Sequence, residues 1–157
     1  MAAHSSAAPD AIDAVMDLLA EAERPILVVG DRLGGANAEA VKLAETAGMP
    51  VYGHRASEVN FPTTHLLWQG NLSVRQPQAV EAIQSADVIV AAGCMVFDDF
   101  FNQPGSVIAS GTRLVHIDSD PGSIGQSEPA DIGILAAPSA VVGQLAVAAG
   151  DVFTGER

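Results

Sequence analysis

The chain has 157 residues, of which 48% are hydrophobic and only 4% aromatic, and this is enough material for one domain with a buried core. The 19 acidic and 7 basic side chains give a net charge of −12, which disfavours a nucleic-acid partner. No run of about 18 apolar residues and no signal-peptide pattern occurs, and the single Cys94 permits no internal disulfide, so we expect a cytoplasmic protein without a membrane partner.

The first third of the chain alternates between helix and strand. Apolar residues at helical spacing predict an amphipathic helix over residues 9–23, after a flexible amino terminus at 1–8. The apolar run 25–30 predicts a buried strand, and residues 36–47 a second helix before the strand 50–54. These lengths are typical of a right-handed parallel crossover.

The rest of the chain continues this alternation, with loop-rich connections at 55–75 and 94–112. The elements predicted here are a helix at 77–85, a strand at 87–93, a strand from Arg113, a strand at 131–135, a helix at 138–149 and a frayed tail at 151–157. Five strands alternating with four helices predict a Rossmann-like, doubly wound α/β fold, a parallel sheet of five to six strands with helices on both faces.

Two aspartates, Asp118 and Asp120, follow the apolar strand that begins at Arg113. In open α/β sheets ligands bind beyond the carboxyl ends of the strands, where acidic side chains accept hydrogen bonds from ribose hydroxyls. The alternative is that both aspartates cap the turn or helix that begins at Pro121. On this stretch alone, capping is the simpler interpretation.

A glycine-rich turn follows the first strand, with Gly30, Gly34 and Gly35. Backbone N–H groups of such a turn can bind a pyrophosphate at a helix amino terminus. The spacing matches neither the dinucleotide-binding GxGxxG pattern nor a phosphate-binding loop with its lysine. A turn that needs positive φ angles is therefore the favoured interpretation.

The histidines and the cysteine do not predict a metal centre or a nucleophile. His54, His65 and His116 lack metal-ligand spacing, and Cys94 is remote from them in sequence. We expect His116, inside a strand, to be a hydrogen-bonded core or edge residue, and Cys94 to be a structural thiol. A small thiol enzyme using Cys94 is the least supported of the possible functions.

Five segments, in their order along the chain, resemble the central domain of thiamine-diphosphate-dependent enzymes. They are APDAIDAVMDLLAEAERPILVVG, LAETAGMPV, FPTTHLLWQG, SADVIVAAG and RLVHIDSDPGSIG. The resemblance extends over residues 9–150 and is greatest to the benzoylformate decarboxylase and acetohydroxyacid synthase group.

The resemblance implies a scaffolding domain of a 2-oxo-acid decarboxylase or synthase that is inactive alone. In this family one further domain binds the cofactor's pyrimidine, and another binds its diphosphate and magnesium through a Gly-Asp-Gly motif, which this sequence lacks. The implied partners are those two domains, in a homo-oligomer of the complete enzyme.

The resemblance also implies two sites. Residues around a nucleotide groove, which holds FAD or ADP in some members, would be Gly30, Gly34, Gly35, Gly70, Asp118 and Asp120. Residues 71–73 lack the second glycine of FAD-binding members, which disfavours flavin. A stand-alone module for ADP, FAD or NAD is the alternative function.

The second implied site is an active-site loop at residues 96–105, with Phe97 and Phe100. Phe100 stands where benzoylformate decarboxylase carries a histidine that transfers protons, so the resemblance implies a different substrate or proton route. From composition alone, the cluster of Phe97, Phe100 and Phe101 either packs the loop onto the sheet or contacts another domain.

Overall fold

The computed structural model describes residues 5–54, 60–73, 76–97 and 105–153. Its elements are α1 (Pro9–Glu21), β1 (Pro25–Val29), the 3₁₀-helix η1 (Asp31–Leu33), α2 (Asn37–Ala47), β2 (Val51–His54), β3 (Trp68–Leu72), α3 (Pro77–Ser85), β4 (Val88–Ala92), β5 (Arg113–Asp118), β6 (Ile132–Leu135) and α4 (Pro138–Val152). The strands form one parallel sheet in the order β3-β2-β1-β4-β5-β6. This Rossmann-like α/β fold confirms the predicted class.

Helices cover both faces of the sheet, but unequally. On one face α4 lies between α1 and α2, and their buried side chains, such as Val15, Leu43 and Leu145, form the larger core. On the other face α3 contributes Ile83, which packs with β4 residues such as Ile89 in a smaller core. None of the helices within the described ranges is long and apolar enough to cross a membrane.

The central strands follow directly from the sequence. β1 and β4 are apolar and buried at every position, because a parallel strand with neighbours on both sides and helices above and below meets no solvent. Their register is continuous from Pro25 against Val88 to Val29 against Ala92.

Strand β3 corrects the prediction of an irregular loop over residues 55–75. It pairs with β2 as an edge strand, and its register shifts between the pairs Val51–Trp68 and Gly53–Asn71. The extra residue forms a bulge, and Gly70 has a φ of +97° there. The strand lacks an apolar run because it is half exposed at the sheet's edge, so the pattern used for the other strands could not detect it.

Both ends of the described chain involve helix α4. The backbone N–H of Ala7 donates to Gln144 Oε1 at 2.9 Å, and Gln144 Nε2 donates to the Ala7 carbonyl at 3.1 Å. Part of the segment expected to be flexible is therefore fastened to α4. At the other end α4 continues to Val152, three residues beyond its predicted end, because Gly150 does not interrupt its hydrogen bonding.

Two aspartates fix neighbouring strands at their amino ends. Asp87, directly before β4, accepts hydrogen bonds at 2.7 and 3.0 Å from two backbone N–H groups that precede β1. Asp131, directly before β6, accepts hydrogen bonds from the Leu114 N–H and from Arg113 Nε, both at 2.8 Å. Burial opposes ionisation of Asp87, but the backbone hydrogen bonds outweigh it and lower the pKa of Asp87.

Helix η1 crosses the carboxyl end of β4 in close contact with Gly93. The Arg32 N–H donates to the Gly93 carbonyl at 3.0 Å. Gly93 has a φ of +71°, and a Cβ atom on it would lie 2.4 Å from the backbone nitrogen of Leu33. Only glycine therefore allows η1 to approach β4 this closely.

We expect Gly93→Ala to lower the free energy of unfolding by about 3 kcal/mol or more, because both the φ angle and the overlap with backbone are unfavourable. Gly111→Ala is the matched control, since Gly111 has a φ of +94° but no atom within 4 Å of an added Cβ. That control should lose only about 1 kcal/mol. Urea titration measures both values, and equal losses would show that the contact with η1 is not a constraint.

Candidate functional site

The candidate site lies at the carboxyl ends of β1, β4 and β5, where the strand order of the sheet reverses. Open α/β sheets form a crevice at such a point, and ligands bind in it. Gly30 follows β1 and Asp118 ends β5, so the fold places two of the predicted groups at this edge. Gly34, Gly35 and Asp120 lie in the turns that continue from these strands.

The ends of β1 and β4 pack closely against each other. A Cβ atom on Gly30 would lie 2.4 Å from the Cβ of Cys94 and 2.6 Å from the Gly93 carbonyl oxygen. Gly30 is therefore required for close packing of the two strand ends. Cys94 is 4% exposed, as expected of a structural thiol.

The glycine pair after η1 forms a turn with positive φ angles. Gly34 has a φ of +71° and ends η1, and Gly35 has a φ of +81°. This agrees with the turn interpretation that the sequence favours. A Cβ atom on Gly35 would contact nothing within 4 Å, so only the backbone conformation requires glycine at this position.

Gly70 does not lie with the other predicted residues. It belongs to the edge strand β3, and β2, β1 and β4 separate it from β5. The bulge with its positive φ is a local reason for a glycine at this position.

Asp118 forms a bidentate ion pair with Arg32, a residue that the sequence did not single out. Arg32 Nε donates to Asp118 Oδ1 at 2.8 Å, and Arg32 Nη2 donates to Asp118 Oδ2 at 2.7 Å. The Asp118 side chain is 0% exposed and that of Arg32 is 37% exposed. Hydrogen bonding to Asp118 raises the pKa of Arg32. No local signal reveals the pair, because its members are 86 residues apart.

The turn after β5 supports this ion pair. Arg32 Nη2 also donates to Ser123 Oγ at 2.8 Å, and the Ser123 hydroxyl donates to Asp120 Oδ2 at 3.0 Å. Asp120 accepts a further hydrogen bond from the Gly122 N–H at 2.9 Å, and these bonds lower the pKa of Asp120. Asp120 thus caps a turn, which is the simpler of the two interpretations of its sequence.

His116 is a buried, hydrogen-bonded residue of β5, as predicted. Its Nε2 lies 2.8 Å from the Cys94 carbonyl oxygen, and its Nδ1 lies 3.3 Å from the donating Gly125 N–H. A carbonyl can only accept and an N–H can only donate, so Nε2 carries the proton and Nδ1 does not. Burial lowers the pKa of His116 from its ordinary value of 6.5, and the bond to Cys94 only partly offsets this.

Of the two predicted loop phenylalanines, Phe97 is described and Phe100 lies outside the described residues. Phe97 is 5% exposed and has a φ of +52°. Its ring packs edge-on against the ring of His54, with the centroids 5.8 Å apart. Phe97 therefore packs the start of the loop onto the sheet.

Glu128 is a second residue that the sequence analysis missed. It is 5% exposed and accepts hydrogen bonds from the Ser106 hydroxyl at 2.7 Å and from the Val107 N–H at 2.8 Å. It lies between Ser127 and Pro129 in a loop, so no hydrophobic pattern indicates that a carboxylate here is buried.

Together, the charged and polar groups at this edge hydrogen-bond to one another. Asp118 is neutralised by Arg32, and His116 bridges two backbone segments. In the described part of the chain, no three His, Cys, Asp or Glu side chains are arranged to bind a metal ion. The arrangement is suited to fixing strand ends and loops relative to one another.

Residues 12–145 match the protein family described as thiamine pyrophosphate enzyme, central domain. A probable acetolactate synthase large subunit of Methanocaldococcus jannaschii is 34% identical over 121 residues, which are 75% of this chain and 20% of that protein. The benzoylformate decarboxylase of Pseudomonas aeruginosa is 32% identical over 127 residues, which are 79% of this chain and 24% of that protein.

A solved structure has the same fold. The thiamine diphosphate-dependent 4-hydroxybenzoylformate decarboxylase of Rhodococcus jostii RHA1 superposes with a TM-score of 0.82 at 29% identity. The match covers 100% of this chain and 30% of that chain. The chain thus spans less than a third of the length of these similar proteins.

We expect Arg32→Met to lower the free energy of unfolding by about 3 kcal/mol, because it leaves the buried Asp118 carboxylate without its cation. A double-mutant cycle with Asp118→Asn isolates the pair from each residue's other contacts. The two substitutions should show a coupling of about 1–3 kcal/mol in urea unfolding. Additive effects would mean that the ion pair does not stabilise the fold.

Stability should also fall as the pH is lowered below 6.5, the ordinary pKa of histidine. The folded state lowers the pKa of His116, so between the two pKa values the unfolded chain binds more protons. The contribution of His116 to the free energy of unfolding is complete above the unfolded-state pKa. It is lost as the pH falls towards the folded-state pKa. His116→Gln keeps a donor for the Cys94 carbonyl but cannot titrate, so its unfolding free energy should depend less on pH between 7 and 5. Parallel slopes for the two proteins would contradict this assignment.

Proposed function

Because this chain belongs to the thiamine pyrophosphate enzyme central-domain family, we propose that it is the scaffolding domain of a thiamine diphosphate-dependent enzyme that acts on a 2-oxo acid. It aligns with 20% of a synthase and 24% of a decarboxylase, so the proposed partners are the remaining domains of such an enzyme. In this role the chain is not catalytic alone. It holds the cofactor-binding domains in an oligomer of the complete enzyme and contributes one loop to the active site.

One observation carries this proposal. At the carboxyl ends of the strands, the charge of Asp118 is neutralised by Arg32 of the same chain. A binding site offers a few unsatisfied polar groups to its ligand. Here the carboxylate implied to bind a ribose is 0% exposed, and both of its oxygens accept hydrogen bonds from Arg32. Gly70, also implied in the groove, is on the edge strand β3. The alternative of a nucleotide-binding module therefore has less support.

The residues of this chain do not fit thiamine diphosphate with magnesium. The sequence contains no Gly-Asp-Gly, and the described residues include no group of three metal-binding side chains. Carboxylate and other oxygen ligands are what magnesium requires from a protein. We therefore assign the cofactor to the partner domains and no chemical step to this chain.

The proposed contribution to the active site is the loop at residues 96–105. Phe97 anchors its start through burial and the contact with His54. Phe100, three residues further on, would present an apolar ring to the substrate. The phenyl ring of phenylalanine has no ionisable group and cannot transfer protons, so the complete enzyme would use another group for that step.

Thermal unfolding with added ligands tests the scaffolding role. We expect no rise in the Tm of the 157-residue chain with ADP, FAD, NAD or magnesium thiamine diphosphate. A ligand present at one hundred times its Kd would add about 2.7 kcal/mol, and thus raise Tm by about 5–10 °C in a domain of this size. Incubation with benzoylformate or pyruvate and the cofactor should give no decarboxylation above buffer.

A rise in Tm with any ligand, or turnover by the chain alone, would argue against the scaffolding role as proposed. A rise with ADP or FAD alone would favour the nucleotide-binding module. A rise with magnesium thiamine diphosphate, or turnover by the chain alone, would contradict the scaffolding role. Mellitic acid, a polyanion of unrelated shape, controls for non-specific binding of anions.

A further inference from the structure

Buried polar side chains fasten both ends of the connection between β4 and β5 to one loop. That β4–β5 connection comprises residues 93–112, and its ends at 93–97 and 105–112 are described. The loop comprises residues 119–131, between β5 and β6. His116 links the amino-terminal end of the connection to this loop, and Glu128 links the carboxyl-terminal end to it.

At the amino-terminal end, the linking group is the imidazole of His116, which is 1% exposed. Its Nε2–H donates to the Cys94 carbonyl at 2.8 Å, and its Nδ1 accepts the Gly125 N–H at 3.3 Å. One ring therefore joins the connection to the 119–131 loop. Because each nitrogen has one role, the ring has a fixed orientation.

Phe97 shows that this end of the connection is held tightly. Its φ of +52° is rare for a bulky side chain and persists only where the surroundings impose it. The constraint comes from burial of the Phe97 ring and from its edge-on contact with His54 at the end of β2. The fold thus maintains an unfavourable backbone conformation at the residue where the proposed loop begins.

At the carboxyl-terminal end, Glu128 binds two consecutive residues. Its Oε2 accepts the Ser106 hydroxyl at 2.7 Å and its Oε1 accepts the Val107 N–H at 2.8 Å. Ser106 Oγ accepts in turn from the Ile108 N–H at 3.1 Å. Within the described residues no Lys or Arg forms an ion pair with Glu128. Burying a carboxylate beside neutral donors carries a desolvation cost that an apolar side chain would avoid. Packing alone therefore does not explain why this residue is a glutamate.

We propose that His116 and Glu128 are positioning residues, which hold the two ends of the β4–β5 connection so that its loop is presented correctly to the active site of the complete enzyme. This inference rests on the proposed function, because it takes the loop at residues 96–105 to be the active-site contribution. Neither side chain needs to touch substrate. Both act through the backbone and hydroxyl groups that they bind.

Asp131 provides a comparison for Glu128 in the number and length of its hydrogen bonds, with the charged Arg113 as its side-chain donor. Each carboxylate accepts one backbone N–H and one side-chain donor, at 2.7 or 2.8 Å. Asp131 makes these bonds at the amino end of the sheet, whereas Glu128 acts on the connection that leaves the carboxyl end. A purely structural role predicts similar consequences for Glu128→Gln and Asp131→Asn. A positioning role predicts that only Glu128→Gln changes catalysis.

The first measurement is amide hydrogen exchange of the wild-type chain and both variants, followed by mass spectrometry. Glu128→Gln should increase exchange at residues 105–108 by about tenfold or more, because glutamine has one acceptor oxygen and cannot accept from both the Ser106 hydroxyl and the Val107 N–H. Asp131→Asn should leave these amides unchanged and affect those near Leu114, whose N–H it binds. Unchanged exchange at 105–108 in Glu128→Gln would overturn the proposal.

The second measurement is steady-state turnover of a 2-oxo acid by the complete enzyme, at a temperature where every variant is fully folded. Glu128→Gln should lower kcat by about 10- to 100-fold with little change in KM, because misplacement of an active-site loop affects the reacting geometry. Asp131→Asn should remain within about twofold of wild type. Equal losses in the two variants would reduce Glu128 to a structural role and overturn the proposal.

Two further variants separate the possible failures. If Glu128→Gln does not fold, Ser106→Ala removes one of the same hydrogen bonds from the opposite partner and should lower kcat in the same direction; a wild-type kcat would overturn the proposal. Phe100→Ala tests the loop itself. If Phe100→Ala leaves turnover and substrate preference unchanged, the proposed function of the loop fails, whereas the exchange experiment still decides whether Glu128 holds the connection.

Discussion

The ion pair between Arg32 and Asp118 joins the ends of two strands that are not neighbours in the sheet, since β4 lies between β1 and β5. To reach Asp118, η1 has to cross the end of β4, and this crossing requires Gly93 to have no side chain. Asp118 tolerates complete burial because a guanidinium meets both of its oxygens and the Asp120 N–H donates to one of them at 2.9 Å. Ser123 then fastens the following loop to the same guanidinium. One bidentate contact therefore fixes three strand ends and the start of the loop that carries Glu128.

The same contact explains how a nucleotide-binding architecture can serve as a support. In a doubly wound sheet, the switch point offers a crevice in which oriented polar groups meet a ligand. In this chain Gly30 packs against Cys94 at the switch point, and both carboxylate oxygens of Asp118 bind Arg32. The same fixed groups then orient neighbouring segments of the chain, such as the loop after β5 that Ser123 attaches to Arg32. The proposed scaffolding role and the proposed positioning role of Glu128 are two consequences of this one change.

The strands of the central sheet could be predicted because burial on both faces selects uninterrupted apolar runs, as in Val88–Ala92. Edge strand β3 could not, because a half-exposed strand with a bulge at Gly70 has no such run. Similarly, the sequence placed Asp118 at the carboxyl end of a strand but did not indicate its partner, since an arginine 86 residues away gives no local signal. Glu128 was missed for the same reason: its burial results from tertiary packing of two loops, which no short-range pattern records.

The edge strand also determines which part of the chain tryptophan fluorescence reports. Trp68 is the only tryptophan in the sequence, and it lies in β3 with its ring stacked on Phe61 at a centroid distance of 6.1 Å. Intrinsic fluorescence excited at the indole therefore reports the outermost strand and the part of the larger core that contains Phe61. An emission change in this protein reports the surroundings of this one indole, and circular dichroism is needed to follow the remainder of the fold.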